Sequence, residues 1–276
     1  MMAGQIVVGV DGSAPATAAV EWAAADAGRR RLGLRLVHVC EQWTPERGEP
    51  EHCAGALEAA AGRARTLAPG VDVGTEMLTG RVINTLVAAS AAADSLVVGS
   101  RGLGGFAQLI LGSTSLALAG HAAGPVVIVR EGEMARHGEI VVGDDGSEPA
   151  KAAVEYAVEQ ARARDARLRV VYAWQAPLLA PYAAAYSVLD DEDYRQASQA
   201  AAQRVLAWRE RAPDVSIADD QVCDHPVAAL MKAAATADLV VVGARGLGGF
   251  ASTVLGSVSH GVLHHVTCPV AVVRPR

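Results

Sequence analysis

The chain has 276 residues, of which 51% are apolar and 20% charged, a globular balance with room for one large domain or two modest ones. A formal net charge of -6, without a long Lys/Arg run, argues against a protein that coats DNA or RNA. The opening residues lack a basic region and no apolar run nears the ~18–20 residues of a membrane span, so the expectation is a cytoplasmic protein without a leader or a membrane partner.

Taken in chain order, the first half alternates short β-branched runs with helical patterns. Strands are predicted at Ile6–Val10, Leu34–Cys40, Val71–Leu78, Leu96–Gly99 and Val126–Val129. Helices fall between them at Ala16–Arg30, Glu51–Leu67, Val82–Ala92 and Ser113–His121. A polar, charged linker, Glu131–Gly138, follows. The second half repeats the order. Its strands lie near Ile140–Gly143, Leu168–Ala173, Val215–Val222, Leu239–Gly243 and Val270–Val273, and its helices near Ala150–Arg164, Asp191–Arg211, Val227–Thr236 and Ser257–His265. Apolar strands without alternation suit burial on both faces, and βαβ alternation implies a parallel sheet with right-handed crossovers.

The halves are copies of each other. Gln5–Ser13 recurs as Glu139–Ser147 at an offset of 134, and Leu96–Ser113 recurs as Val240–Ser257 at an offset of 144 with thirteen of eighteen positions identical. The ten extra residues lie around Pro177–Asp193. A period this long marks a duplicated domain rather than a solenoid. The expected architecture is α/β: two tandem doubly wound five-stranded parallel-sheet sandwiches, one over residues 1–131 and one over 138–276, paired as a pseudo-dimer. The last strands, Val126–Val129 and Val270–Val273, are apolar edges and should pair with each other. Further self-association into a homodimer is a weaker expectation, open to sedimentation.

Ligands of open parallel sheets bind beyond the carboxyl ends of the strands, where the strand order switches. Asp11-Gly12-Ser13 and Asp145-Gly146-Ser147 follow the first strand of each half. Gly99-Ser100-Arg101-Gly102, nine residues, then Gly112-Ser113 follow the fourth strand. Gly243-Ala244-Arg245-Gly246, nine residues, then Gly256-Ser257 stand in the second half. Glycine lets main-chain N–H groups approach phosphate oxygens, and a helix opening at Ser113 or Ser257 offers unpaired donors and a positive dipole end. The hydroxyls of Ser113, Ser115, Ser257 and Ser259 can donate to the same oxygens. No lysine follows the second glycine, so this is not a Walker loop, and the dinucleotide fingerprint would follow strand one. Taken alone, each loop reads equally as a turn and an N-capped helix.

The G-x2-G-x9-G-[ST] pattern, with an Asp after strand one and a closing Pro-Val strand, resembles the universal stress protein family in its tandem form, over nearly the whole chain. Members with this pattern bind ATP. The resemblance implies that Asp11 and Asp145 lie by ribose and adenine, and that Val39 and Ala173 meet adenine through backbone groups. It implies that Val98, Gly99, Gly102, Gly112, Ser113, Thr114 and Ser115 line one site, and Val242, Gly243, Gly246, Gly256, Ser257, Val258 and Ser259 the other. ATP, with Mg²⁺ in attendance, is the implied cofactor, and a regulatory, non-catalytic stress-response role the implied function.

Arg101 and Arg245 can clamp a phosphate or be ordinary loop arginines. Asp11 with Asp145 can hold Mg²⁺ through the nucleotide, or end strands in turns. After strand three the first half has Thr79-Gly80 and the second Asp224-His225, whose carboxylate would repel a phosphate, so that the second site is either weaker or uses a metal ion to offset the charge. His264-His265 read as packing and surface residues, since neighbours point to different sides of a helix. Phe106 and Phe250 read as anchors of the glycine loops. The four cysteines form no CxxC pair and read as reduced thiols. The rival functions are a slow ATPase or nucleotidyl-transfer enzyme, a flavin module, and a pseudo-dimer with dead sites. The chain has only two lysines, Lys151 and Lys232, neither in a loop, and no evident general base accompanies either loop.

Overall fold

The structure, a computed structural model, describes residues 4–41, 51–103, 111–132, 136–174, 183–247 and 255–275. The first half runs β1 (Gln5–Gly9), α1 (Ala14–Arg30), β2 (Gly33–Cys40), α2 (Glu51–Leu67), β3 (Val73–Thr79), α3 (Val82–Ala89), β4 (Ser95–Gly99), α4 (Ser113–His121) and β5 (Val126–Val129). The second runs β6 (Glu139–Gly143), α5 (Glu148–Arg164), β7 (Arg167–Trp174), α6 (Ala183–Arg211), β8 (Ile217–Cys223), α7 (Pro226–Ala234), β9 (Leu239–Gly243), α8 (Ser257–His265) and β10 (Val270–Val273). Element ends differ from the sequence expectation by a few residues. The largest difference is α6, which begins at Ala183 inside the inserted stretch rather than near Asp191.

The helices start where local chemistry starts them. Ser13 and Ser147 cap α1 and α5 by accepting the N–H of Ala16 and Ala150, each with a proline in the first turn. Both helices stop at a left-handed residue, Arg31 at φ 55° and Asp165 at φ 51°.

The strand order is β3-β2-β1-β4-β5-β10-β9-β6-β7-β8. All neighbours are parallel except β5 and β10, which pair antiparallel with Val270 opposite Ile128, Ala271 opposite Val127 and Val272 opposite Val126. The two five-stranded sheets are therefore halves of one ten-stranded sheet, joined through the strands the sequence marks as apolar edges. Successive residues of a strand serve opposite cores. Ile6 and Val8 pack under α1 and α2, whereas Val7 faces the layer of α3 and α4. Each core continues across the seam into the second half, where α5 and α6 extend one layer and α7 and α8 the other. Among the described residues no helix is long and apolar enough to cross a membrane.

Polar contacts reinforce the seam. Asp26 on α1 is fully buried. It accepts from Arg164 Nη1 at 2.8 Å and from Gln160 Nε2 at 3.3 Å on α5, and from Arg30 Nη1 at 3.4 Å on its own helix. Arg30 also grips Asp94 with two hydrogen bonds of 2.6 and 2.9 Å. Arg164 lies over the Trp22 ring at 5.2 Å and Arg30 over the Tyr156 ring at 5.9 Å. Burial pushes the Tyr156 hydroxyl far above its ordinary range, so it stays neutral between the two guanidinium groups.

Removing one partner of a buried ion pair strands the other. Asp26→Ala is expected to lower unfolding stability by about 3–5 kcal/mol, read by equilibrium urea denaturation. A loss no larger than that of an exposed substitution would show that Arg164 does not depend on this carboxylate.

Candidate functional site

The strand order reverses between β1 and β4 in the first half and between β6 and β9 in the second, because β2 and β7 lie on the far sides of β1 and β6. At the carboxyl ends of those strands the sheet splits open. One cleft of about 550 Å³ lies in the first half and one of about 470 Å³ in the second. Both fall in the range of small-molecule sites. Asp11, Val39, Val98, Gly99, Arg101, Gly102, Gly112, Ser113, Thr114 and Ser115 all line the first cleft. Asp145, Ala173, Val242, Gly243, Arg245, Gly246, Gly256, Ser257, Val258 and Ser259 all line the second.

The same main-chain geometry builds each cleft. Asp11 accepts the N–H of Ser13 at 3.0 Å on one oxygen and that of Leu103 at 3.0 Å on the other, so its carboxylate staples the first loop to the loop after β4. Asp145 does the same with Ser147 at 3.0 Å and Leu247 at 3.1 Å. Gly112 N–H donates to Ser100 O at 2.7 Å and Gly256 N–H to Ala244 O at 2.8 Å, which sets the first turn of α4 or α8 over the strand end. Gly112 and Gly256 are the N-cap residues of those helices, and neither helix has a side-chain cap. Ser113 and Ser257, the first helical residues, are exposed to the cleft mouth.

Packing shows what the serines and glycines do for the fold. Ser115 Oγ donates to Gly99 O at 2.7 Å and Ser259 Oγ to Gly243 O at 2.7 Å, tying helix to strand. Gly102 and Gly246 are not at positive φ. Their lack of a side chain makes room for a carboxylate, since a Cβ on Gly102 would stand 2.6 Å from Asp11 Oδ2. Gly99 is more constrained, because a Cβ there would meet the carbonyl carbon of Pro15 at 2.6 Å.

Asp224 does not burden the second cleft as a bare charge. Its carboxylate receives Lys232 Nζ at 2.7 Å and the N–H of His225 at 2.7 Å. The hydrogen bond from Lys232, then that from His225, holds its pKa below the ordinary carboxylate value. Asp144, the extra carboxylate of the second half, is buried and likewise paired, to Arg204 Nε at 2.8 Å and to the N–H of Gly146 at 3.0 Å.

Asp11 and Asp145 belong to different clefts and cannot share an ion, and among the described residues no group of three or more potential metal ligands is gathered. His264 packs against His260 with ring centroids 4.5 Å apart, and burial pushes its pKa below the usual histidine value. Phe106 and Phe250 lie outside the described residues.

Sequence reasoning missed the apolar wall. Val82 and Leu86 on α3, and Pro226 and Leu230 on α7, close one side of each cleft, with Val37 or Val171 beneath. These positions match at the repeat offset and stand four apart on a helix, a signal that reads as ordinary core until the cleft is seen.

The model of the universal stress protein family matches the chain twice, over residues 2–130 and 137–274. A universal stress protein of Mycolicibacterium smegmatis is 34% identical over 98% of this chain and 97% of its own length. Another, from Mycobacterium tuberculosis, is 36% identical over 98% of this chain and 94% of its own. Among solved structures, a universal stress protein from Archaeoglobus fulgidus superposes with a TM-score of 0.68 at 18% identity, covering 98% of this chain and 96% of that one, a likeness of fold.

The glycines separate into structural and adjustable ones. Gly99→Ala and Gly243→Ala press on main chain that cannot swing away, and each is expected to cost about 1–3 kcal/mol through overpacking. Gly102→Ala presses only on a side-chain oxygen and is expected to cost less. Thermal and urea unfolding of the three variants ranks them, and a larger loss for Gly102→Ala than for Gly99→Ala would contradict this packing.

Proposed function

This chain belongs to the universal stress protein family, and from that premise we propose that it binds ATP in each cleft and acts as a regulatory protein of the stress response rather than as an enzyme. The observation that carries the reading is the uncapped N-terminus of α4 and of α8, opening on a cleft that also holds an arginine. Such a helix end presents several N–H donors and the positive end of its dipole, and a phosphate chain completes it. Arg101 or Arg245 adds a charge-assisted contact. The wall of Val37, Val39 and Leu86, or Val171, Ala173 and Leu230, offers an apolar slot for a flat base. Asp11 and Asp145, each already oriented by two N–H groups, keep acceptor capacity for ribose hydroxyls. Magnesium would arrive on the phosphates, since the chain brings no cage of its own among the described residues.

The non-catalytic part of the reading rests on what surrounds the phosphate position. Phosphoryl transfer needs a group that orients water and positive charge aimed at the departing phosphate. Lys232 is held by Asp224 at 2.7 Å, and Lys151 lies 3.9 Å from Glu148 on an exposed helix face. The carboxylates nearest the clefts are engaged as main-chain staples.

Calorimetric titration of ATP tests the reading. Wild type is expected to take two nucleotides. Gly102→Glu puts a second carboxylate against Asp11 and should remove the first site alone, and Gly246→Glu the second alone, with circular dichroism unchanged. Unaltered stoichiometry and affinity in both variants would leave the loops as turns. Multiple-turnover hydrolysis at the ~1–100 s⁻¹ of kinases, lost in these variants, would overturn the regulatory reading.

A further inference from the structure

Two thiols meet beside the first cleft, and the nucleotide chemistry uses neither. Cys40 is the last residue of β2, directly after the cleft-lining Val39, and Cys53 stands in the first turn of α2. Both are buried, and their Sγ atoms are 2.9 Å apart in an S–H···S contact. A disulfide bond measures about 2.03–2.05 Å, so the sulfurs need to close by roughly 0.9 Å. Folding, rather than a short sequence motif, brings them together, since they lie thirteen residues apart. The second half has no counterpart: Trp174 ends β7 where Cys40 ends β2. Cys223 and Cys268 lie elsewhere, at the end of β8 and just before β10.

We propose that Cys40 and Cys53 form a modification site, at which a two-electron oxidant of the peroxide class joins them in a disulfide that ties the end of β2 to the start of α2. Cys40, at 8% exposure the less buried residue of the two, reacts first. Its thiolate attacks one oxygen of hydrogen peroxide, the O–O bond breaks, and a sulfenic acid and hydroxide result. The sulfur of Cys53 then attacks the Cys40 sulfur, the S–O bond breaks, and the oxygen leaves as water with the Cys53 proton. Two thiols and one peroxide give one disulfide and two waters. Burial, then the hydrogen bond with Cys40, pushes the Cys53 thiol up to about 11, so its thiolate is scarce at neutral pH and closure is slow. The bond fixes the strand that supplies Val37 and Val39 to the first cleft and leaves the second cleft unmodified, whatever the clefts bind.

The test uses the reduced full-length protein exposed to hydrogen peroxide, alkylated in denaturant and digested without reductant. Expected is a cross-linked peptide joining Cys40 to Cys53, lighter by two hydrogen atoms than the two free peptides together, that a reductant releases. The oxidised protein should also melt at a higher temperature than the reduced one. Cys40→Ser and Cys53→Ala should each lack the cross-link, but the wild-type peptide map decides the matter even if a variant folds poorly. Three results would overturn the proposal: Cys40 carried on to sulfinic acid with Cys53 still alkylatable, cross-links through Cys223 between chains only, or an unchanged pair under conditions that fully oxidise the exposed Cys223.

Discussion

The antiparallel pairing of β5 with β10 is the contact on which the rest of the arrangement depends. Each strand alone would be a fully apolar edge of four residues, an exposed template for aggregation. Joined, they make one sheet and set a local two-fold relation between the halves. Because that one pairing is antiparallel and all others are parallel, β4 and β9 run in opposite directions, and the two clefts open at opposite ends of the sheet. The arginines that follow the seam strands cross it. Arg130 Nη2 donates to Leu263 O at 2.6 Å in the last turn of α8, and Arg274 Nη2 donates to Gly120 O in the last turn of α4. Each half thus supplies a cation to the negative end of the helix whose positive end opens on the other half's cleft. Burial, followed by repulsion from Arg101, lowers the Arg130 pKa, so the strap and the first cleft's arginine feel each other's charge.

The duplication is also where symmetry is given up. At the repeat offset Trp22 matches Tyr156, Asp26 matches Gln160 and Arg30 matches Arg164. These residues meet where α1 crosses α5. Two identical first halves would bring Asp26 toward Asp26 in a dry interface, where like charges are costly. With Gln160 as the partner, one carboxylate faces an amide and two guanidinium groups, and every charge has a counterpart. Joining the halves in one chain permits this division of labour.

Most of the fold was legible because the repeat marks each strand twice, and the periodicities of a buried strand and a helix differ. The clefts were legible because glycine and serine at the ends of β4 and β9 have a topological meaning. What stayed hidden depends on contacts between elements distant in sequence. Asp26 and Arg30 stand four apart on a helix, a spacing shared by ordinary exposed pairs, and only packing of α1 on α5 buries them. Gly102 is glycine on account of a carboxylate 91 residues earlier in the chain, at position 11. The Ser115 hydroxyl turns back to the strand-end carbonyl of Gly99, sixteen residues earlier in the chain. Asp224 looked like a free charge because Lys232, two helical turns on, was not placed beside it until α7 was built.

The same pairings decide how the two clefts differ. The second half has two carboxylates where the first has neutral residues, Asp144 for Val10 and Asp224 for Gly80. Each is answered locally, Asp144 by Arg204 and Asp224 by Lys232. An ion pair within hydrogen-bond distance has a field that falls off as a dipole, so little net negative charge reaches the helix end where an anion would sit. Both clefts then keep the same electrostatic offer, one arginine and one open helix N-terminus. The differences that remain are uncharged ones. Val39 in the first wall becomes Ala173 in the second. In a close-packed slot, two missing methyl groups change contact with a flat ring directly, whereas the paired charges at its rim largely cancel. The charged rims of the two clefts therefore match, while their linings differ at Val39 and Ala173 and at Thr114 and Val258.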